Sequence, residues 1–452
     1  MPAAKAPLLA ETVRRLVSRG ATANVLNILG KLHPSDIAQL LSELPESSRK
    51  PTFELLLQRN LSLAGEALSE LGPARGAELL KDMSAAEISR VLQELSPDDS
   101  ADFIAALPAA LREEILGAMH QKEAAEVEDL LGYADQTAGR IMNPKVFSLP
   151  ENLTVGEAIS RLQSSIEAEM VFYIYVVDDG NNLVGVLSLR QLLLNRPESR
   201  LKDIMTTDVI RVSTETDQEE VAQLVASYNL LAIPVVEQGK LIGVITVDDV
   251  IDVIKEEATE DIYRLAGLDA SERVFTPPKQ STRMRLPWLA VNLATAFLAA
   301  SVVSLFERTI QSFALLAVFM PIVAGMGGNA ATQTLTVMVR GIALGELTWA
   351  NGRKALLKEA LVGLLNGLAL GATVSLIVYL WKGNPILGGI LGLAMLGNMV
   401  VATVAGTLVP LALRWLKVDP ALASSVFVTT CTDVFGFFSF LGLGTLFLRY
   451  LV

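Results

Sequence analysis

Hydrophobic positions follow three successive rhythms along this chain of 452 residues. From residue 8 to 138, short apolar faces recur at helical spacing between Pro, Ser and Gly breaks. Leu32-His33-Pro34-Ser35-Asp36 leads into Ile37 to Leu44. Met83-Ser84-Ala85-Ala86-Glu87 leads into Ile88 to Leu95, and Leu95-Ser96-Pro97-Asp98-Asp99 leads into Phe103 to Leu107. A Ser cap with Pro just inside the helix is helix-start chemistry. The stretch therefore predicts an all-α domain of stacked amphipathic helices.

The second rhythm, over 139–254, is strand-like and occurs twice. Ile141-Met142-Asn143-Pro144 matches Ile204-Met205-Thr206-Thr207. Leu183-Val184-Gly185-Val186-Leu187-Ser188 matches Leu241-Ile242-Gly243-Val244-Ile245-Thr246. The offset is 63 residues at the first motif and 58 at the glycine, so the first copy carries extra residues in its middle. Each copy, 139–200 and 201–254, reads as Val- and Ile-rich strands alternating with helices, an α/β unit. An acidic helix and linker follow over 255–282.

The third rhythm fills 283–452. Five apolar runs are each long enough to cross a bilayer. They are about Leu286 to Phe306, Phe313 to Val339, Ala360 to Leu380, Ile386 to Leu413 and Ala421 to Leu448. Basic residues set the orientation. With the amino terminus inside, Arg283, Arg285, Arg340, Arg353, Lys354, Lys358, Arg414 and Lys417 are cytoplasmic, against Arg308, Lys382 and Arg449 outside. That bias favours a cytoplasmic amino terminus, and five spans then leave the carboxyl terminus outside. The whole is a multidomain chain: all-α, then tandem α/β, then a five-helix transmembrane domain in the lipid bilayer.

Charge sharpens this picture. The net charge is −12, and the acids lie mostly before residue 285. Such a surface excludes nucleic acid as a partner and suits cations. One cysteine, Cys431, rules out an intrachain disulfide, and two histidines are too few for a histidine-built metal centre. Met1 to Ala10 does not read as a signal peptide. No Walker loop is present, and no span carries a paired acid and base, so an enzyme is disfavoured.

Three features carry candidate chemistry. Asp248 to Asp261 holds seven acids against one lysine, Lys255, in fourteen residues. Glu256 and Glu260, like Glu257 and Asp261, share a helix face, and a hard divalent cation would relieve their repulsion. Asp433 is the one charged residue within the cores assigned to the five spans, about 18 Å along the last helix by the usual rise. A carboxylate at that depth marks a functional site, and Thr429, Thr430 and Thr432 add oxygens beside it. Finally, Pro321 and Gly325-Met326-Gly327-Gly328 predict a break in the second span. The break would free carbonyls near Asn329 and Gln333 to line a path.

The duplicated unit resembles a pair of CBS domains. Taken with the helical amino-terminal region, the acidic helix, the Pro321…Gly325-Met326-Gly327-Gly328-Asn329…Gln333 motif and Asp433, the whole chain resembles a MgtE-type magnesium transporter. The resemblance implies a homodimeric Mg²⁺ channel of the bacterial plasma (inner) membrane. It implies that Asp433, Thr429 and Asn329 serve the path. It also implies that cytoplasmic Mg²⁺ closes the path by binding Glu66, Asp98, Glu219, Asp249, Asp252, Glu257, Glu260 and Asp261. CBS pairs often bind adenine nucleotides, so ATP at Thr246 and Asp248 is expected, beside a reading in which Thr246 caps a helix. This sequence departs from the family pattern at Asn229, Ala331 and Ser425. Two other functions remain open: a carrier coupled to H⁺ or Na⁺, and a membrane sensor of metal or nucleotide that transports nothing.

Overall fold

The computed structural model describes residues 6–164, 172–274, 276–416, 418–421 and 424–451. Lys417 and residues 165–171, in the middle of the first α/β copy, lie outside the described residues. Two compact units emerge, Met1–Ile254 and Lys255–Val452.

The first unit begins with ten helices: α1 (Ala6–Ser18), α2 (Thr22–Leu29), α3 (Pro34–Glu43), α4 (Glu46–Arg59), α5 (Leu61–Leu71), α6 (Pro73–Leu80), α7 (Ala85–Leu92), α8 (Pro97–Ala106), α9 (Ala109–Ala118) and α10 (Gln121–Leu131). Most pack on the helix two places on: α1 on α3, α2 on α4, α3 on α5, α5 on α7 and α7 on α9, with α6 on α8 and α8 on α10. The caps follow the sequence. Ser84 and Glu87 form a capping box on α7, and Ser96 caps α8 with Pro97 at its first position. At α3 the cap is His33, whose Nδ1 accepts from the Ser35 amide at 3.3 Å.

After α11 (Ala138–Ile141), the duplicated units follow. The first comprises β1 (Ser148–Pro150), α12 (Val155–Ser164), β2 (Tyr173–Val177), β3 (Leu183–Ser188) and α13 (Leu189–Leu194). The second comprises α14 (Leu201–Ile204), β4 (Val212–Ser213), α15 (Gln218–Tyr228), β5 (Ala232–Glu237), β6 (Lys240–Thr246) and α16 (Val247–Leu265). In both sheets a parallel pair is followed by an antiparallel one, and the register shifts at the same place, Val176/Val177 and Val235/Val236. The repeated Ile-Met motif explains why the copies stay together. Met142, ahead of the first sheet, covers Gly243 of the second, and Met205 covers Gly185 of the first. A Cβ at Gly243 would sit 2.6 Å from the Met142 sulfur, and one at Gly185 would sit 2.3 Å from that of Met205. Asn143 also bridges to Val244, and Thr206 to Val186. Each lead-in segment thus completes the other copy's sheet.

Among the described residues, the second unit holds five helices long and apolar enough to cross a membrane. They are α17 (Pro278–Ser304), α19 (Leu315–Ala343), α20 (Trp349–Lys382), α21 (Pro385–Trp415) and α22 (Ser424–Leu446), with the short α18 (Glu307–Ser312) and α23 (Leu448–Leu451) beside them. Glycines let α20 and α21 approach closely. Gly363, Gly367 and Gly371 face Met399, Leu396 and Gly392, and Ser375 Oγ donates to the Gly388 carbonyl at 2.7 Å.

One expectation fails. The second span is unbroken: α19 runs helically through Pro321 and all three glycines. Proline removes a single N–H, whereas a break in apolar surroundings would strand several backbone groups at a larger cost.

Candidate functional site

Acids from two helix starts meet in the first unit. Asp98 and Asp99 occupy the first turn of α8, and Asp248 and Asp249 the first turn of α16. Asp98 is 7% exposed, and its Oδ1 is buried without a hydrogen-bond partner among the described residues. Burial pushes the Asp98 carboxyl up to about 7, with repulsion from Asp99 and Asp102 adding to it. Burial also pushes Asp249 up to about 7, and there the charge of Asp98 is the next cause. Asp99 moves in the same direction through burial and through Asp248 and Asp252, although Ser69 Oγ donates to its Oδ2 at 2.7 Å. The helix dipoles soften this repulsion but leave the carboxyls raised. Asp102 has its own counter-charge, the buried Arg140, at 2.9 Å.

Thr246 pairs with Asp249 and not with Asp248. Its hydroxyl and its amide both donate to Asp249 Oδ2, while Asp248 is exposed. Ser188 and Gln191 make the equivalent helix-start pair in the first copy.

Glu66 is exposed on α5, where Ser62 Oγ donates to it at 3.3 Å. Glu219 is half-buried in the first turn of α15 and accepts from Gln223. Neither is among the groups that raise Asp98 or Asp249.

In the second unit, the end of α16 carries another acidic group. Asp261 is pushed up to about 6 by burial, then by Asp419 and Glu257. Glu260 is not a bare carboxylate, because Arg264 one turn later pairs with both Glu260 and Asp419. The sequence reading missed Arg264 and Asp419. One lies just past the acidic window and the other 155 residues away along the chain.

Among the spans, Asp433 is half-buried on α22. Thr432 Oγ1 donates to the Thr429 carbonyl at 2.8 Å. A Cβ at Gly328 would lie 3.9 Å from the Thr429 methyl, so the Gly328–Asn329 turn of α19 stands against this part of α22. Asn329, Thr332, Gln333 and Thr336 are all exposed along α19. Their spacing of three, one and three residues makes one polar stripe.

Asp433 is not the only carboxylate in a spanning helix. Glu359 lies within α20 at 4% exposure, paired with Lys358 and accepting from Thr334 Oγ1 at 3.1 Å. Asn398, fully buried in α21, was also missed. Among the described residues, no three of His, Cys, Asp and Glu converge as a ready-made metal cage. The acids form loose electrostatic groups, which suit an ion that keeps its own water.

Comparison with known proteins agrees with this arrangement. The family model for MgtE, divalent cation transporter, matches residues 320–443. The MgtE intracellular N domain matches 32–136, and CBS domains match 138–197 and 201–256. The magnesium transporter MgtE of Thermus thermophilus is 36% identical over 448 residues, covering 98% of this chain and 99% of its own. That of Bacillus subtilis is 32% identical over 438 residues, covering 96% of each. A crystal structure of the cytosolic domain of the Mg²⁺ channel MgtE in complex with ATP has a TM-score of 0.51. It is 38% identical and covers 54% of this chain and 99% of its own. The match to an intracellular N domain supports a cytoplasmic amino-terminal region ahead of a multi-pass membrane part. The chain belongs to the MgtE family of magnesium transporters.

Proposed function

We propose that this chain is a Mg²⁺-selective, channel-like transporter that admits Mg²⁺ to the cytoplasm through a bacterial plasma (inner) membrane. Its amino terminus is inside and its carboxyl terminus outside. One observation carries the transport reading: Asp433 stands half-buried in an otherwise uncharged spanning helix, one turn past Thr429, whose methyl faces Gly328 of α19. A carboxylate at that depth needs water, a partner or a cation. Mg²⁺ releases its first water shell reluctantly, so Asp433, Asn329 and the Thr429 carbonyl act on a largely hydrated ion. The membrane potential drives the ion inward. The polar stripe of Asn329, Thr332, Gln333 and Thr336 is poorly suited to lipid, and we assign it to a water-filled path between two copies of the chain in a homodimer.

Closure is assigned to the acids of the first unit and the end of α16. Without a cation, Asp98 and Asp249 repel across the α8–α16 contact. Cytoplasmic Mg²⁺ bridges such carboxylates and selects the compact, closed state by its higher affinity for it. Glu66, Glu219, Asp252, Glu257 and Asp261 supplement this binding. The match to an ATP-bound relative supports ATP at the CBS pair, at Thr246 with Asp249 in place of Asp248.

The test is Mg²⁺ uptake into liposomes by the full chain beside Asp433→Ala (D433A), with no H⁺ or Na⁺ gradient imposed. Uptake by the unaltered chain and its loss in the folded variant are expected. Uptake that demands a proton or sodium gradient would favour a coupled carrier, and no uptake at all a sensor.

A further inference from the structure

Asn398 occupies the junction of α19, α21 and α22. Its side chain is fully buried, and Nδ2 donates to the Val323 carbonyl of α19 at 2.9 Å. This orientation is chemically required, because rotating the amide would set its oxygen against the carbonyl oxygen. Its Oδ1 is buried with no hydrogen-bond partner among the described residues.

Room for this amide comes from two glycines on two different helices. A Cβ at Gly327 of α19 would lie 2.2 Å from Asn398 Nδ2, and one at Gly436 of α22 would lie 2.8 Å from the same atom. Neither approach is tolerable without movement. Gly327 is two residues before Asn329, and Gly436 is three after Asp433. The amide therefore sits between the two helices that carry the path residues, within one turn of each.

An apolar side chain of similar size would fill the same notch without leaving a buried oxygen unsatisfied, which is costly. What it would lack is the directional bond to Val323. That bond fixes the rotation and height of α19 against α21, and contact with Gly436 carries the setting to α22. We infer that Asn398 is a positioning residue that fixes the separation of Asn329 from Asp433, and through it the size of hydrated cation the path accepts. The inference rests on the proposed path at Asp433.

The test is a double-substitution cycle on the full chain, read by thermal unfolding in detergent and by Mg²⁺ and Ca²⁺ flux in liposomes. Gly436→Ala alone should lower the melting temperature and cut Mg²⁺ flux about tenfold, because its methyl meets the amide. Added to Asn398→Ala, the same methyl loses its approach to the amide and keeps only the Val323 methyl at 3.1 Å, so its effect should shrink by about threefold or more. Asn398→Ala alone should change the ratio of Mg²⁺ to Ca²⁺ flux by about threefold or more, since the two ions differ in size and hydration. If Asn398→Ala does not fold, Asn398→Ser replaces it in the cycle with the same expected coupling.

Equal damage from Gly436→Ala in both backgrounds overturns the inference. So does a uniform loss of both fluxes with their ratio unchanged, which would mean simple packing. Asp433→Ala is run in parallel. Undiminished flux in that variant removes the path reading and this inference together, whereas absent coupling beside an inactive Asp433→Ala removes this inference alone.

Discussion

At the residue scale, burial decides which carboxylates respond to their surroundings. Asp98 and Asp249 are both pushed up to about 7 in the folded chain, against an ordinary value near 4. Between those limits the folded state binds more protons than the unfolded one, so stability falls as pH rises. The unfavourable contribution is absent below about pH 4 and complete once both carboxyls have ionised above about pH 7. In Mg²⁺-free buffer, the contact between α8 and α16 should therefore tighten as pH falls from about 8 to about 6. Limited proteolysis of the full chain measures this. Asp98→Asn should raise protection at pH 8 by about twofold or more and flatten its pH dependence. A pH profile identical to that of the unaltered chain would count against the assignment.

How far single residues were legible follows from the same physics. Asp433 was conspicuous because a carboxylate in an apolar run is rare. Asn398 was equally polar and equally isolated, but an amide carries no charge and drew no notice among leucines and glycines. Glu359 passed for part of a cytoplasmic flank because Arg353, Lys354 and Lys358 precede it. In the structure, Thr348 and Asn351 cap α20 early and carry the helix through all four. Asn229 reads as a departure from an acidic pattern, yet it closes α15 with φ at 50°, a left-handed position that asparagine tolerates well.

At the element scale, the glycines of α19 are not equivalent, and this corrects the expected break. Gly325 has open space where a Cβ would be, while Gly327 has the Asn398 amide. Gly325→Ala should leave folding intact and raise stability slightly, by up to about 1 kcal/mol from helix propensity. Gly327→Ala should destabilise by about 1–3 kcal/mol or more through overpacking. Melting temperatures of the two purified variants check the contrast, and similar values would refute it. Proline and clustered glycines do mark helix breaks in water. In lipid, the stranded backbone reverses that preference, which a propensity-based reading does not include. The acidic helix was legible as a helix, but its charge balance was not. Arg264 and Asp419 enter only once the chain folds back.

At the scale of the whole molecule, the order of regions was legible because each has its own hydrophobic period. The exchange of Met142 and Met205 between the two copies was not. A repeat shows that two segments are alike, without showing which copy each one packs on. The continuous helix α16 makes the acids a system. Its first turn carries Asp249 beside Asp98, and its last turns carry Glu257 and Asp261 in the unit that holds the spans. Its 19 residues span about 28 Å. The assignment of closure to these acids predicts the effect of neutralising them together. Asp98→Asn, Asp249→Asn, Asp252→Asn and Glu257→Gln remove negative sites while leaving the Glu260–Arg264–Asp419 group intact. Moving a two-state equilibrium from 1:99 to 99:1 takes about a 10⁴-fold difference in cation affinity between states. Without these carboxylates most of that difference disappears. The fourfold variant should keep transporting at millimolar internal Mg²⁺ when the unaltered chain has shut, in a liposome assay with Mg²⁺ sealed inside. Normal shut-off in that variant would show that closure does not run through the α8–α16 contact, and the acids would then have to be read as a solvated surface.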